Sequence, residues 1–179
     1  MSTPSFEDLA KQASLLPQEK LLEIQKKTNK LSIGVPKEST FQEHRVPLSP
    51  MAVQVLVQNG HHIRIESGAG EKANFSDFEY SKKGAEIIQD KTENYEAEIV
   101  ITVAPPTDDE ISWMKPNQIL FSAIQLVRTK EALIQKLMAK QITAVGYEFL
   151  RNDDDSLPII RSMSEIAGRA SVLIAAEYL

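Results

Sequence analysis

The chain has 179 residues, of which 42% are hydrophobic and 25% charged, the composition of an ordinary soluble globular protein. Its net charge of -5 argues against nucleic acid as the main partner, and the absence of cysteine excludes disulfides and thiolate chemistry. No apolar run approaches the ~18 residues needed to cross a bilayer, and the acidic, polar first residues do not resemble a signal peptide. We therefore expect a cytoplasmic protein without a membrane-spanning segment.

Residues 1–30 have a pattern of their own. Two short amphipathic helices are predicted, one beginning near Ser5 and one near Pro17. Such helices commonly pack on their own domain or on a neighbouring subunit. We therefore expect a helical extension and a homo-oligomer.

From residue 31 onward, predicted strands and helices alternate. Strands are predicted at 33–35, 62–66, 85–88, 99–103, 119–124 and 142–147. The helices between them are predicted at about 50–58, 92–97, from 107 and from a cap at Thr129, and a further segment at 76–83 precedes Gly84. The run 99–103 is the richest in β-formers and should lie at the centre of the sheet. This order predicts an α/β fold with a doubly wound, mostly parallel, Rossmann-like sheet over residues 31–160.

The connection after the first strand carries the first candidate site residues. Ligands of open α/β sheets sit beyond the carboxyl ends of the strands, where this loop would lie. Arg45 can bind a carboxylate through two hydrogen bonds. The adjacent His44 is the one histidine placed to act as an acid or base. The alternative for Arg45 is a surface ion pair with Glu38 or Glu43.

Two other polar stretches invite functional interpretations. Gly68–Ala73 fits the dinucleotide pattern G-x-G-x-x-A, but no apolar helix follows it, so a tight structural turn is favoured. Asn152–Ser156 lacks the glycine and distal glutamate of a calcium loop, so it is interpreted as a solvated turn. The three histidines have no metal-ligand spacing, and we predict no metal site.

The last helix is predicted over residues 165–179, with Ser162 or Ser164 as its cap. Small residues at that start would leave backbone N–H groups free for an anion, although the local pattern slightly favours a plain capped connector. The helix is apolar and has no stop signal, which suggests a domain cut from a longer protein.

The stretches IGVPKE, HRVPLSP, GHHIRIESGAG, GAEII and SMSEIAGR, in this order, resemble the amino-terminal domain of the alanine dehydrogenase and pyridine nucleotide transhydrogenase family. The resemblance covers about residues 32–179. It implies a two-domain enzyme in which residues 31–160 form the catalytic, substrate-binding domain. Residues 161–179 would then begin a connecting helix to a separate domain that binds NAD. It also implies that Arg45 holds a substrate carboxylate and that Ser164, Glu165 and Ala167 line the cofactor cleft.

The chain departs from the dehydrogenase pattern at two positions. By this resemblance, Ala104 stands where the alanine dehydrogenases have a lysine and Gln125 where they have a histidine, a pair that the transhydrogenase α subunits also lack. Neither side chain can act as a general base. The resemblance favours an NAD-dependent alanine dehydrogenase, converting L-alanine to pyruvate and ammonia. The alternatives are a transhydrogenase α subunit and a non-catalytic assembly or regulatory module.

Overall fold

The computed structural model describes residues 30–125 and 131–178. The strands are β1 (Ser32–Val35), β2 (His62–Glu66), β3 (Glu86–Ile88), β4 (Ile99–Ile101), β5 (Ile119–Ser122) and β6 (Thr143–Gly146). The helices are α1 (Pro50–Gln58), α2 (Asp77–Lys82), α3 (Lys91–Asn94), α4 (Asp108–Trp113), α5 (Glu131–Ala139) and α6 (Pro158–Glu177). The helical extension and the cap at Thr129 lie outside the described residues.

The six strands form one sheet in the order β3-β2-β1-β4-β5-β6, and every neighbouring pair is parallel. The strand β4 lies at the centre, between β1 and β5, as its sequence predicts. The chain runs outward from β1 to β3, returns to β4 and runs outward to β6. This is the doubly wound α/β fold expected from the sequence.

One hydrophobic core lies under α1 and α2. It is built from alternate residues of β1 and β2, among them Val35 and Ile65, together with Val53 of α1 and Tyr80 of α2. The helix α1 begins as its sequence predicts, because the Ser49 hydroxyl accepts the Ala52 N–H and a proline occupies the first helical position.

A second core lies under α4 and α5. Val100 of β4 and Leu120 of β5 pack against Ile111 and Leu137 of these helices. Neighbouring residues of a strand point to opposite sheet faces, so Val100 belongs to this core while Ile101 packs against the first. The central strands of the sheet are therefore covered on both sides, as in other parallel sheets.

Gly34 allows α3 to approach β1 closely. A Cβ atom at this position would collide with the backbone carbonyl of Asn94 and lie 3.2 Å from the Ala97 Cβ. Only glycine leaves room for the end of α3 against the strand. The returning chain therefore packs directly on β1, which brings the start of β4 beside it.

The predicted start of the last helix is wrong. The helix α6 begins at Pro158, because proline fixes the backbone dihedral that a first helical residue needs. The Ser162 hydroxyl donates to the Pro158 carbonyl within the helix, so this serine is not a cap. The Arg161 N–H already donates to the Leu157 carbonyl, and the later amides are used in the same way. The backbone anion site suggested for this stretch is therefore absent from the described helix.

The helix α6 contains no buried residue. Within the described residues, no helix combines the length and the hydropathy needed to cross a membrane. The predicted turn at Asn152–Ser156 is confirmed, since the Asn152 N–H donates to the Ser156 carbonyl and the Asp154 carboxylate accepts the Ser156 N–H.

Candidate carboxylate-binding site

A cavity of about 260 Å³ opens at the carboxyl ends of β4, β5 and β6. Its walls come from the loop after β1, from the strand ends and from the first turns of α6. The lining residues are Arg45, Val46, Pro47, Leu48, Ile101, Val103, Phe121, Tyr147, Ile159 and Met163. The cavity lies at the sheet edge where ligands of open α/β folds bind.

Arg45 is the charged residue of this lining. Its Nε and Nη2 atoms donate to the two oxygens of Glu43 at 2.8 and 2.6 Å, and its backbone N–H donates to the same carboxylate at 3.0 Å. Its Nη1 atom lies 3.7 Å from the Sδ atom of Met163. Glu43 therefore holds one edge of the guanidinium, and the tip of the group faces the cavity wall.

The ion pair weighed from the sequence is therefore present, with Glu43 as the partner. Hydrogen bonding to Arg45 holds the pKa of Glu43 below its usual value, so the pair stays charged near neutral pH. The Arg45 side chain keeps 51% of its surface exposed, whereas Glu43 keeps 12%. The half-buried Glu43 carboxylate thus fixes an arginine that remains accessible from the cavity.

The loop that carries Arg45, residues 36–49 and here named the arginine loop, is tied to three neighbouring elements. The Lys37 N–H donates to Glu66 at the end of β2 at 2.7 Å, and the Lys37 carbonyl accepts from Lys91 at 3.1 Å. The Ser39 hydroxyl donates to Glu110 of α4 at 3.0 Å. Glu110 also pairs with Lys91 at 2.6 Å. These bonds fix the base of the loop while its tip borders the cavity.

Glu38 connects the arginine loop to the end of β4. Its carboxylate accepts the backbone N–H groups of Val103 and Ala104. Burial raises the pKa of Glu38, although these two hydrogen bonds oppose the shift. The chain after Ile101 therefore turns toward Glu38, and β4 ends two residues earlier than predicted.

Tyr147 closes the far side of the cavity. Its hydroxyl donates to the Val103 carbonyl at 2.8 Å, and its ring lies 5.9 Å from the ring of Phe121. Burial raises the pKa of Tyr147, which keeps the phenol neutral. Tyr147 therefore supports the cavity wall, which was not predicted from the sequence. Its position directly after the β6 strand was the sequence feature that could have indicated this role.

Ala104 and Gln125 lie outside the cavity lining. Ala104 is 7% exposed, and its carbonyl accepts the hydroxyls of Thr102 and Ser122, both at 2.9 Å. Gln125 is exposed, with a left-handed φ of 49°, and its N–H donates to Glu148 at 2.7 Å. The structure thus shows neither residue lining the cavity beside Arg45.

His44 is exposed and borders a second, much smaller cleft, which Lys37, Gly68, Lys72 and Arg45 also line. Arg45 lies between this cleft and the main cavity. The structure therefore places His44 next to the arginine along the chain but on its other side, away from the apolar lining.

The glycine-rich stretch forms a tight structural turn, as favoured from the sequence. In this turn, residues 67–75 and here named the glycine turn, the Gly68 N–H and the Ser67 hydroxyl both donate to Asp77. A Cβ atom at Gly70 would lie 2.6 Å from the Tyr80 ring and 2.8 Å from the Phe75 carbonyl oxygen. The glycines therefore serve local packing, and the amide that would meet a phosphate already has an acidic partner.

The three residues expected to line a cofactor cleft, Ser164, Glu165 and Ala167, are all exposed on α6. Glu165 pairs with Arg161 one turn away at 3.1 Å. The cavity instead receives Ile159 and Met163, which are four residues apart and share a helix face. The four-residue spacing of these two apolar side chains could have indicated this helix face from the sequence.

Across residues 30–125 and 131–178, no three His, Asp or Glu side chains gather in a way that could hold a metal ion.

Comparison with known proteins gives consistent matches. Residues 34–167 match the family model described as alanine dehydrogenase/PNT, N-terminal domain. Alanine dehydrogenase 2 of Staphylococcus aureus (strain USA300) is 36% identical over 149 residues, which are 83% of this chain and 40% of that protein. Alanine dehydrogenase of Staphylococcus epidermidis gives the same identity and the same coverage.

Two solved structures agree with these matches. An L-alanine dehydrogenase superposes with a TM-score of 0.77 at 38% identity, covering 83% of this chain and 41% of that one. A transhydrogenase from Sinorhizobium meliloti superposes with a TM-score of 0.64 at 25% identity, covering 68% and 36%. The chain spans about two fifths of the length of the curated relatives described here.

Proposed function

The chain belongs to the alanine dehydrogenase/PNT family, as its N-terminal domain, and we propose that it forms the acid-binding half of an NAD-dependent oxidoreductase of the alanine dehydrogenase type. The observation that carries the proposal is the position of Arg45. It is an accessible guanidinium at the edge of an apolar cavity, beyond the carboxyl ends of parallel strands. The higher identity to the dehydrogenase than to the transhydrogenase also supports this reaction.

In the proposed reaction, an amino acid, NAD and water give an oxo acid, ammonium, NADH and a proton. The exposed tip of Arg45 would bind the carboxylate of the acid, while Glu43 keeps the guanidinium in place. The apolar walls would exclude water from the rest of the substrate, which strengthens the charged contact. Glu38 and Tyr147 would hold the end of β4 in position beneath it.

We propose NAD as the hydride acceptor, held mainly by protein outside the described residues. The glycine turn does not fit a pyrophosphate, because Asp77 occupies its first amide and would repel the phosphates. The exposed Ser164, Glu165 and Ala167 on α6 are the candidates for contacts from this chain. Residues 161–179 would accordingly begin the connection between the two domains.

The proposed reaction needs a titratable group near the amine, but the two positions where the dehydrogenases carry such a group hold an alanine and a glutamine in this chain. Ala104 and Gln125 cannot accept a proton, and His44 borders a different cleft. A missing acid or base typically costs about 10²–10⁴ in rate. We therefore expect slow oxidation of alanine.

The test is a steady-state assay of L-alanine-dependent NADH formation, using the protein at the full length its gene encodes. Ala104→Lys combined with Gln125→His should raise the rate at least about tenfold, the low end of acid/base contributions. Each single substitution serves as a control, and a thermal melt checks folding. A parent as fast as ordinary dehydrogenases and unimproved by the double change would contradict the proposed placement of the chemistry.

A non-catalytic assembly or regulatory role is a further candidate beside the transhydrogenase α subunit, because both expected proton-transfer positions carry residues that cannot titrate. It predicts an oligomer that binds an acid through Arg45 yet forms no NADH with any amino acid, even after the double substitution. Sedimentation of the same preparation would measure the oligomeric state, for which we propose a homo-oligomer. We further propose that the protein acts in the cytoplasm, consistent with its lack of cysteine.

A further inference from the structure

The size of the cavity bears on the choice of substrate. An apolar cavity of about 150 Å³ accommodates one benzene molecule. Pyruvate has as many non-hydrogen atoms as benzene, so it would fill little more than half of the 260 Å³ beside Arg45. By the same ratio, the cavity holds a molecule of about ten non-hydrogen atoms.

The side chains that line the cavity also limit which ligands can bind there. The strand ends contribute Ile101, Val103 and Phe121, and α6 contributes Ile159 and Met163. Arg45 is the charged member of the described lining, and the Tyr147 hydroxyl donates to the backbone. A fitting ligand therefore has a carboxylate that Arg45 can bind and an apolar side chain, because a polar group placed against these walls would be left unpaired.

We infer that this cavity takes a branched-chain 2-oxo acid, or the amino acid related to it, with a side chain of about four carbons. The methyl side chain of pyruvate or alanine would leave most of the apolar wall without a partner. The inference rests on the proposed function, because it assigns the carboxylate to Arg45. It goes beyond that function by naming the substrate class.

The test is calorimetric titration of the 179-residue chain with a graded series of acids. The series runs from pyruvate through 2-oxobutanoate and 2-oxopentanoate to 4-methyl-2-oxopentanoate, and ends at phenylpyruvate. Each added carbon buried against the wall should strengthen binding about fourfold. Affinity should therefore rise about 50-fold from pyruvate to 4-methyl-2-oxopentanoate, and fall at phenylpyruvate, which exceeds the available volume.

A matched pair of variants on α6 isolates the cavity. Ile159→Phe places a larger ring in the cavity and should weaken binding of 4-methyl-2-oxopentanoate at least about fivefold, with little effect on pyruvate. Ile160→Phe makes the same change at the adjacent exposed position outside the lining and should leave both affinities unchanged. Both positions are partly exposed, so both variants should fold.

The outcomes separate the two proposals. Pyruvate binding as tightly as 4-methyl-2-oxopentanoate, with both dependent on Arg45, would overturn the inference about substrate size and leave the proposed function standing. Equal effects of the two phenylalanine substitutions would also overturn it. If Arg45→Gln left the affinity for every acid of the series unchanged, the proposed carboxylate site itself would be overturned.

Discussion

The arginine loop and the glycine turn follow neighbouring parallel strands at the same edge of the sheet, yet their polar groups are used differently. In the glycine turn, the Gly68 N–H and the Ser67 hydroxyl are both taken up by Asp77. In the arginine loop, Glu43 engages one edge of Arg45 and leaves half of its surface accessible. A binding site thus requires a polar group that is fixed but still reachable, and a sequence pattern alone does not show this.

The largest expected effect concerns the packing of the glycine turn. Gly70→Ala should lower the free energy of unfolding by about 2–3 kcal/mol, because the added Cβ would overlap the Tyr80 ring and the Phe75 carbonyl. Chemical denaturation measures it. Gly168→Ala is the matched control, since nothing lies within 4 Å of its Cβ, and alanine should stabilise α6 slightly. Equal stability of the two variants would contradict the packing role.

The next effect concerns binding by the arginine loop. Arg45→Gln should weaken the affinity for 4-methyl-2-oxopentanoate about 30-fold, because a charge-assisted hydrogen bond contributes about 2 kcal/mol. Calorimetric titration measures it. Arg151→Gln removes an arginine of an exposed ion pair outside the cavity and should leave the affinity unchanged. A similar loss in both variants would point to overall charge rather than to a site.

The smallest effect on binding concerns Glu43, the partner of Arg45. Glu43→Gln should weaken the affinity for 4-methyl-2-oxopentanoate about fivefold in the same calorimetric titration, because the guanidinium loses its charged partner. Glu71→Gln in the glycine turn is the control and should leave this affinity unchanged. Tighter binding to Glu43→Gln would show instead that Glu43 competes with the ligand for Arg45.

The same pair predicts a pH dependence of stability. The pKa of Glu43 is lowered from its ordinary value of 4.5 by Arg45, so the pair contributes fully above about pH 4.5 and loses its contribution as the pH falls through the lowered pKa. The difference in unfolding free energy between the parent and Glu43→Gln should therefore shrink only in that acidic range. A difference that persists at lower pH would contradict the ion pair as its source.

Most of the fold could be predicted from local signals. The cap at Ser49 and the proline after it determine the start of α1, and the β-rich run at 99–103 determines β4. The alternating order of strands and helices predicts the parallel sheet. The start of α6 was mispredicted because two serines resembled caps, while Pro158, four residues earlier, supplied the stronger start signal. The end of β4 was missed because the Glu38 carboxylate, distant in sequence, takes its last amides.

The site was predictable only in part. Arg45 could be identified from its loop, but the choice between Glu38 and Glu43 as its partner depends on how the loop folds back on itself. The apolar wall depends on α6 meeting the strand ends, which brings Met163 next to Arg45 across 118 residues. Local patterns carry no information about such a contact.

The most direct test of the central claim is a nuclear magnetic resonance titration of the 179-residue chain with 4-methyl-2-oxopentanoate. Backbone amide shifts report on both loops at once. We expect changes at Arg45, Val46, Phe121 and Met163, with the signals of Gly68 and Gly70 unmoved. Changes centred on the two glycines, with Arg45 unaffected, would contradict the assignment of the arginine loop as the carboxylate-binding site.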